Sequence, residues 1–116
     1  MSDLEELTDL VIKHRDERNW KQFHNPKDVS LSLSLEASEL LEHFQWKNGK
    51  EMQEHIKKHK KEVGEEVADI LYYLLLFAYD NHIEIKKVFV EKMKENKRKY
   101  PVQKTKGKHL KYSEYK

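Results

Sequence analysis

The 116-residue sequence predicts an all-α fold, a helical bundle of four main helices. Three observations lead there. Apolar residues recur at helical spacing over long segments. Three Gly and two Pro leave few of the turns that an all-β sandwich requires. Charged residues make up 38% of the chain against 37% hydrophobic, which suits amphipathic helices around a core so thin that an oligomer would complete it.

The first helix is expected over residues 4–20, on an apolar stripe at Leu4, Leu7, Leu10 and Val11. Acids at its start suit the helix dipole, and His24-Asn25-Pro26 breaks the pattern. Asn25-Pro26-Lys27-Asp28 reads as a new start, with Asn as N-cap, Pro at N1 and an acid at N3. Val29, Leu31, Leu33 and Leu35 then alternate with Ser30, Ser32 and Ser34, which in isolation is a strand period. The alternation fails beyond Leu35, and no breaker separates the halves. One helix over 26–46 is the preferred reading, and a short strand at 29–35 the alternative. Asn48-Gly49 ends that helix. Residues 50–61, rich in Lys and His, form either a loop or a short exposed helix. A third long helix is expected over 62–80 and the last over 83–99, stopping before Pro101. The remainder reads as irregular.

Several classes of function drop out. Without Cys there is no disulfide scaffold, zinc thiolate or cysteine nucleophile. The acidic first six residues resemble neither a signal nor a transit peptide. The longest apolar run, 67–79 broken by Asp69, falls short of the roughly 20 residues that cross a bilayer. No membrane association is expected, and the expected location is cytoplasmic. The net charge of +2 is uneven: residues 1–96 carry 15 Lys/Arg and 20 Asp/Glu, and residues 97–116 carry 8 Lys/Arg and one acid, Glu114. Such a basic tail can attract nucleic acid. A solvated terminus is the preferred reading, and no stable nucleic-acid partner is expected.

Two carboxylate pairs carry the chemistry. Glu36 and Glu39 on the second helix, and Glu66 and Asp69 on the third, are each spaced i, i+3 and so share a helix face. Asp69 lies between Val67-Ala68 and Ile70-Leu71, on a helix apolar nearly all round that is expected to be central and buried. An unpaired buried carboxylate is costly, and residues 62–85 contain no Lys or Arg. A bound metal resolves the conflict. An all-oxygen donor set selects Mg²⁺ or Mn²⁺ over zinc. For Glu36 and Glu39 alone a solvated surface is the simpler reading, and for Asp69 the competing reading is a helix end or an exposed stripe; the joint appearance of both pairs favours metal. A di-iron site needs Glu-x-x-His pairs, and no His follows a Glu by three.

Aromatic residues flank the acids. Trp20 and Phe23-His24 precede the second helix, Trp46 ends it, and Tyr73 follows Asp69 by four. Rings beside a metal–phosphate site can sandwich a nucleobase. The competing reading is core packing, stronger for Phe44 and Tyr72 than for Trp20. Lys92 and Asn96, i, i+4 on the last helix, suit phosphate or sugar oxygens, although alone they would be ordinary surface.

Four ordered motifs give a resemblance over about residues 12–102. Glu17-Arg18-Asn19-Trp20-Lys21-Gln22-Phe23-His24-Asn25-Pro26, Glu36-Ala37-Ser38-Glu39 with Phe44-Gln45-Trp46, Glu66-Val67-Ala68-Asp69-Ile70-Leu71-Tyr72-Tyr73-Leu74, and Lys92-Met93 with Asn96 and Lys99-Tyr100-Pro101 all match. Together they resemble the MazG-like, all-α nucleotide pyrophosphohydrolases of the dCTP pyrophosphatase branch. One departure is Ala37-Ser38, where a Gly usually precedes the second Glu.

The resemblance implies a domain over 1–101 and a homodimer or homotetramer, and the charge of the remainder reads as a basic, flexible tail over 102–116. It implies Mg²⁺-dependent hydrolysis of nucleoside triphosphates, dCTP or a modified dCTP, to monophosphate and pyrophosphate. Glu36, Glu39, Glu66 and Asp69 would be the metal ligands. Trp20, His24, Trp46 and Tyr73 would line the base pocket, and Lys92 and Asn96 would contact the nucleotide. Water would attack the α-phosphorus, with Glu39 orienting or deprotonating it. The alternative is a non-catalytic helical module that binds nucleic acid or protein through the tail.

Overall fold

The computed structural model describes residues 1–115 and is helical, with no strand among the described residues. The chain divides into two compact units, residues 1–82 and residues 83 onward. The first unit contains α1 (Asp3–Glu17), α2 (Pro26–Glu42), α3 (Lys50–Lys58) and α4 (Lys60–Asp80), with a 3₁₀ turn at Lys21–Phe23. The second contains α5 (Ile85–Lys99), α6 (Val102–Thr105) and a 3₁₀ turn at Tyr112–Glu114.

Local chemistry sets the boundaries. The Ser2 side chain accepts from the Glu5 amide at 3.2 Å, and Asp3, Glu5 and Glu6 fill the first turn of α1. Helix α1 stops at Glu17, three residues short of expectation, because Asn19 adopts a left-handed φ of 54°. Asn25 caps α2 as the sequence predicts: its Oδ1 accepts from the Asp28 amide at 2.9 Å, and Pro26 follows at N1. The Ser/Leu alternation at 29–35 is helical, which removes the strand alternative. Its serines fit because Ser30 Oγ donates to the Pro26 carbonyl at 2.6 Å and Ser38 Oγ to the Ser34 carbonyl at 3.0 Å. Helix α2 ends at Glu42 rather than 46, since the chain turns through 43–46 and Trp46 sits at φ 68°. Gly49, also left-handed at φ 52°, starts α3 instead of ending α2. The Lys/His-rich segment is therefore a short helix.

Helix α4 is the centre of the first unit and packs against α1, α2 and α3. The buried apolar side chains are few: Val11, Val29, Leu75, Leu76 and Ala78. At about 1.5–3 kcal/mol for each large side chain, such a core contributes little. A charged contact supplements it. Arg15, 1% exposed, donates from Nη1 to both oxygens of Asp80 at 2.7 and 2.8 Å and ties the end of α1 to the end of α4.

The expectation that α4 is buried nearly all round is corrected. Its buried residues, Leu75, Leu76 and Ala78, all lie in its C-terminal half. Val67 and Leu74 are about half exposed, and Asp69 lies on the exposed surface. Within the first unit, α1, α2 and α3 cover only part of α4, and Val67 and Leu74 are left as an apolar stripe.

In the second unit, Lys99 and Lys92 pair with Glu95 along α5 at 3.1 and 3.8 Å. The segment expected to be irregular carries α6, because Thr105 Oγ1 donates to the Pro101 carbonyl at 2.7 Å and closes the turn. Tyr100 then meets the rings of Tyr115 and Tyr112 edge-on, with centroids 5.8 and 6.2 Å away.

Candidate active site

The i, i+3 spacing on α2 and the facing turn of α4 converge as the carboxylate pairs predict. Oxygens of Glu36, Glu39 and Glu66 lie within 4.8 Å of one another. Asp69, one turn beyond Glu66, is not in this trio, but its charge acts on both Glu36 and Glu66. Asp69 is exposed rather than buried, so its own burial gives no reason for a cation. The case for a cation rests instead on Glu36 and Glu66. Each has a buried Oε2 with no hydrogen-bond partner, a condition native proteins rarely leave unanswered.

Electrostatics agree with the geometry. Burial, and then the charge of Glu39, push the Glu36 carboxyl above the usual range. Glu66 is raised in the same direction, first by burial and then by neighbouring Glu39. Like charges held this close favour protonation or a cation. The donors are all oxygen, so the residues fit a hard divalent ion.

A cleft of about 420 Å³ adjoins the acids, within the first unit. Glu36 and Asp69 line it together with Trp20, His24 and Tyr73, three of the four aromatic residues singled out from the sequence. Its size is that of a small-molecule site. Burial, and then the charge of Arg15, lower the His24 imidazole, so the ring is neutral at pH 7. His24 Nδ1 is buried and has no partner. Tyr73 is raised by burial and by Glu36 nearby, which keeps the phenol protonated.

The fourth aromatic residue, Trp46, is 88% exposed and does not line this cleft. Lys92 and Asn96 stand on α5 in the second unit, where Lys92 pairs with Glu95. Sequence reasoning missed Leu10, Val11, His14 and Tyr72 as cleft residues. Core packing is the competing reading for Tyr72, and its hydroxyl meets His14 Nδ1 at 3.2 Å on the cleft wall. His14 follows Leu10 by four and Val11 by three, a helical face that was legible. His43 was also missed. It follows Glu39 by four, and its Nε2 lies 3.9 Å from Glu66 Oε1.

A family model described as the MazG-like family matches residues 31–115. The chain is 35% identical over 113 residues to dCTP pyrophosphatase 1 of Rattus norvegicus, covering 96% of this chain and 66% of that protein. The human dCTP pyrophosphatase 1 is 34% identical over the same length, with the same coverage. The chain thus spans about 66% of the length of these curated relatives. A crystal structure of a pyrophosphatase from Archaeoglobus fulgidus superposes with a TM-score of 0.83 at 41% identity, covering 87% of this chain and 94% of that one.

Proposed function

This chain belongs to the MazG-like family, and from that premise we propose that it is a Mg²⁺-dependent nucleoside triphosphate pyrophosphohydrolase. Its substrate is dCTP or a modified dCTP, and its products are the monophosphate and pyrophosphate. The observation that carries the reading is the carboxylate cluster with two orphaned buried oxygens at the edge of an aromatic cleft.

Glu36, Glu39, Glu66 and Asp69 hold the cation, with Mn²⁺ as a substitute for Mg²⁺. When bound, the ion neutralises triphosphate charge and supplies Lewis acidity at the phosphoryl oxygens. Glu39, the most exposed of the converging trio, orients the attacking water and accepts its proton. Trp20 and Tyr73 flank the base and sugar, and neutral His24 offers a ring nitrogen to a polar edge. Lys92 and Asn96, one turn apart on α5, are assigned to the phosphates, in an assembly of two or four copies. Leu31 and Leu35 on α2, with Val67 and Leu74 on α4, are each about half exposed, an apolar surface suited to a second copy.

The test is a nucleotide panel assayed for monophosphate and pyrophosphate, with and without Mg²⁺. Preferential turnover of dCTP or a cytosine analogue supports the reading. Turnover that is equal with excess chelator contradicts it.

A further inference from the structure

The cleft carries a pair of polar side chains that the proposed function leaves without a task. His14 follows apolar Leu10 and Val11 along the α1 wall of the cleft, and Tyr72 stands opposite on α4. His14 Nδ1 and the Tyr72 hydroxyl are 3.2 Å apart. The imidazole meets the rings of Trp20 and Tyr72 edge-on, with centroids 5.5 and 5.7 Å away. Arg18 joins the group: its Nη1 donates to the His14 carbonyl at 3.0 Å, and its guanidinium lies 5.8 Å from the Trp20 ring. The ring assigned to stacking and the polar pair are therefore held together.

We propose that the His14–Tyr72 pair recognises the 4-substituent of a pyrimidine base, the amine of cytosine or the carbonyl of uracil, and makes that substituent a requirement for tight binding. The proposal rests on the nucleotide reading above. With Glu36 and Asp69 taken up by cation and phosphates, as that reading has it, the base lies toward the rest of the cleft. On α4, Tyr72 stands three residues, ~4.5 Å of rise, beyond Asp69 and six residues, ~9 Å, beyond Glu66. In a pyrimidine, C4 lies across the ring from the glycosidic nitrogen, so its substituent reaches farthest from the sugar. Leu10 and Val11 offer that group no hydrogen bond, whereas the pair offers two partners. A neutral imidazole has one N–H and one bare nitrogen, and a phenol both donates and accepts. When Tyr72 donates to Nδ1, His14 keeps Nε2–H as a donor and the hydroxyl oxygen accepts. When Nδ1–H donates to that oxygen, the phenol proton is free to donate and Nε2 accepts. Either way the pair presents one donor and one acceptor, in an order that reverses with the imidazole tautomer. Burial, and then neighbouring Tyr73, raise the Tyr72 phenol, so it keeps the proton this needs near pH 7. The pair thus demands a polar 4-substituent and leaves the choice between amine and carbonyl to other contacts of the cleft.

The test uses the full chain with dCTP, dUTP and the 2-pyrimidinone deoxynucleotide, which has only hydrogen at C4. Each is titrated calorimetrically with Mg²⁺ as its α,β-imido analogue, and assayed for hydrolysis as the ordinary triphosphate. A site that hydrogen-bonds a group rejects the analogue lacking it. One net hydrogen bond amounts to about 2- to 12-fold in an equilibrium constant, so wild type should bind the C4-hydrogen analogue ~5-fold or more weakly than dCTP. His14→Phe and Tyr72→Phe should each lower that ratio, and the double variant should bring it to within about 2-fold of unity, with dUTP weakened alongside dCTP. The ratio compares two ligands on one protein, so partial unfolding of a variant does not mimic the result. A wild-type ratio near unity, a ratio that survives in the double variant, or a loss for dCTP without one for dUTP would overturn the proposal. Hydrolysis of dCTP with such a surviving ratio contradicts the pair alone. A ratio that collapses as expected in a chain that binds dCTP without hydrolysing it supports the pair and contradicts the hydrolase reading. Binding of none of the three overturns both.

Discussion

Removing the Asp80 carboxylate should destabilise the first unit out of proportion to one surface acid. Arg15 is 1% exposed and holds both Asp80 oxygens, while its other contact, Asp16 at 3.1 Å, is a half-exposed side chain. Asp80→Ala strands a buried guanidinium. Breaking one partner of a buried pair costs about 3–5 kcal/mol, and because Asp80 keeps 22% exposure the low end, about 3 kcal/mol, applies. For a domain of 60–100 residues, ~1 kcal/mol moves Tm by about 4–8 °C, so Tm should fall by roughly 12 °C or more. Replacing both charges, Arg15→Met with Asp80→Leu, should recover most of the loss, since no charge is then left unpaired. Calorimetry or circular dichroism melts at low and high salt measure the effect, which should be largely salt-insensitive. The effect should reach the cleft as well. Asp80 partly offsets the Arg15 charge at His24, so its loss should lower the His24 titration midpoint further, as read by NMR. A Tm change within about 2 °C, or a double variant no more stable than Asp80→Ala, would refute the reasoning.

Three further outcomes follow from the site. Glu36 and Glu66 have raised pKa values in the metal-free folded chain, so they favour folding most at low pH and lose that contribution as pH rises above 4.5 through the folded values. The melting temperature of metal-free wild type, relative to Glu36→Gln, should therefore fall over that window, and a difference that grows with pH would contradict the electrostatics. Trp20, 42% exposed with the Arg18 guanidinium 5.8 Å from its ring, should contribute stacking of about 1–3 kcal/mol, so Trp20→Ala should raise KM for the nucleotide ~5- to 150-fold and change kcat less. Leu31→Glu with Val67→Glu, placing charge on the open stripe of α2 and α4, should yield monomers by sedimentation, and an unchanged assembly would remove that face from the subunit contact.

Much of this molecule was legible in its residues. Asn25-Pro26 marked the start of α2 because capping and a fixed proline φ are local effects that need no tertiary partner. The two i, i+3 pairs pointed to the cluster because helical periodicity alone sets which side chains share a face. What local pattern does not encode is coverage. Asp69 sits in the most apolar stretch of the chain, yet the buried residues of α4 all lie in its far half, so composition overstated its burial. The end of α2 was misplaced for a related reason, since the left-handed Trp46 carries no local signal of its conformation. His14 and Tyr72 escaped notice because their meeting on the cleft wall joins residues 58 apart.

Glu39 is the residue on which the account turns, between Glu36 on its own helix and Glu66 on the next. The most direct test is a product assay on dCTP, with and without Mg²⁺, comparing wild type with Glu39→Gln. The account predicts equimolar monophosphate and pyrophosphate from wild type only when Mg²⁺ is present. It predicts a loss of ~100-fold or more in Glu39→Gln, the scale of a removed general base. Orthophosphate as the product, or undiminished pyrophosphate release by Glu39→Gln or in excess chelator, would contradict it.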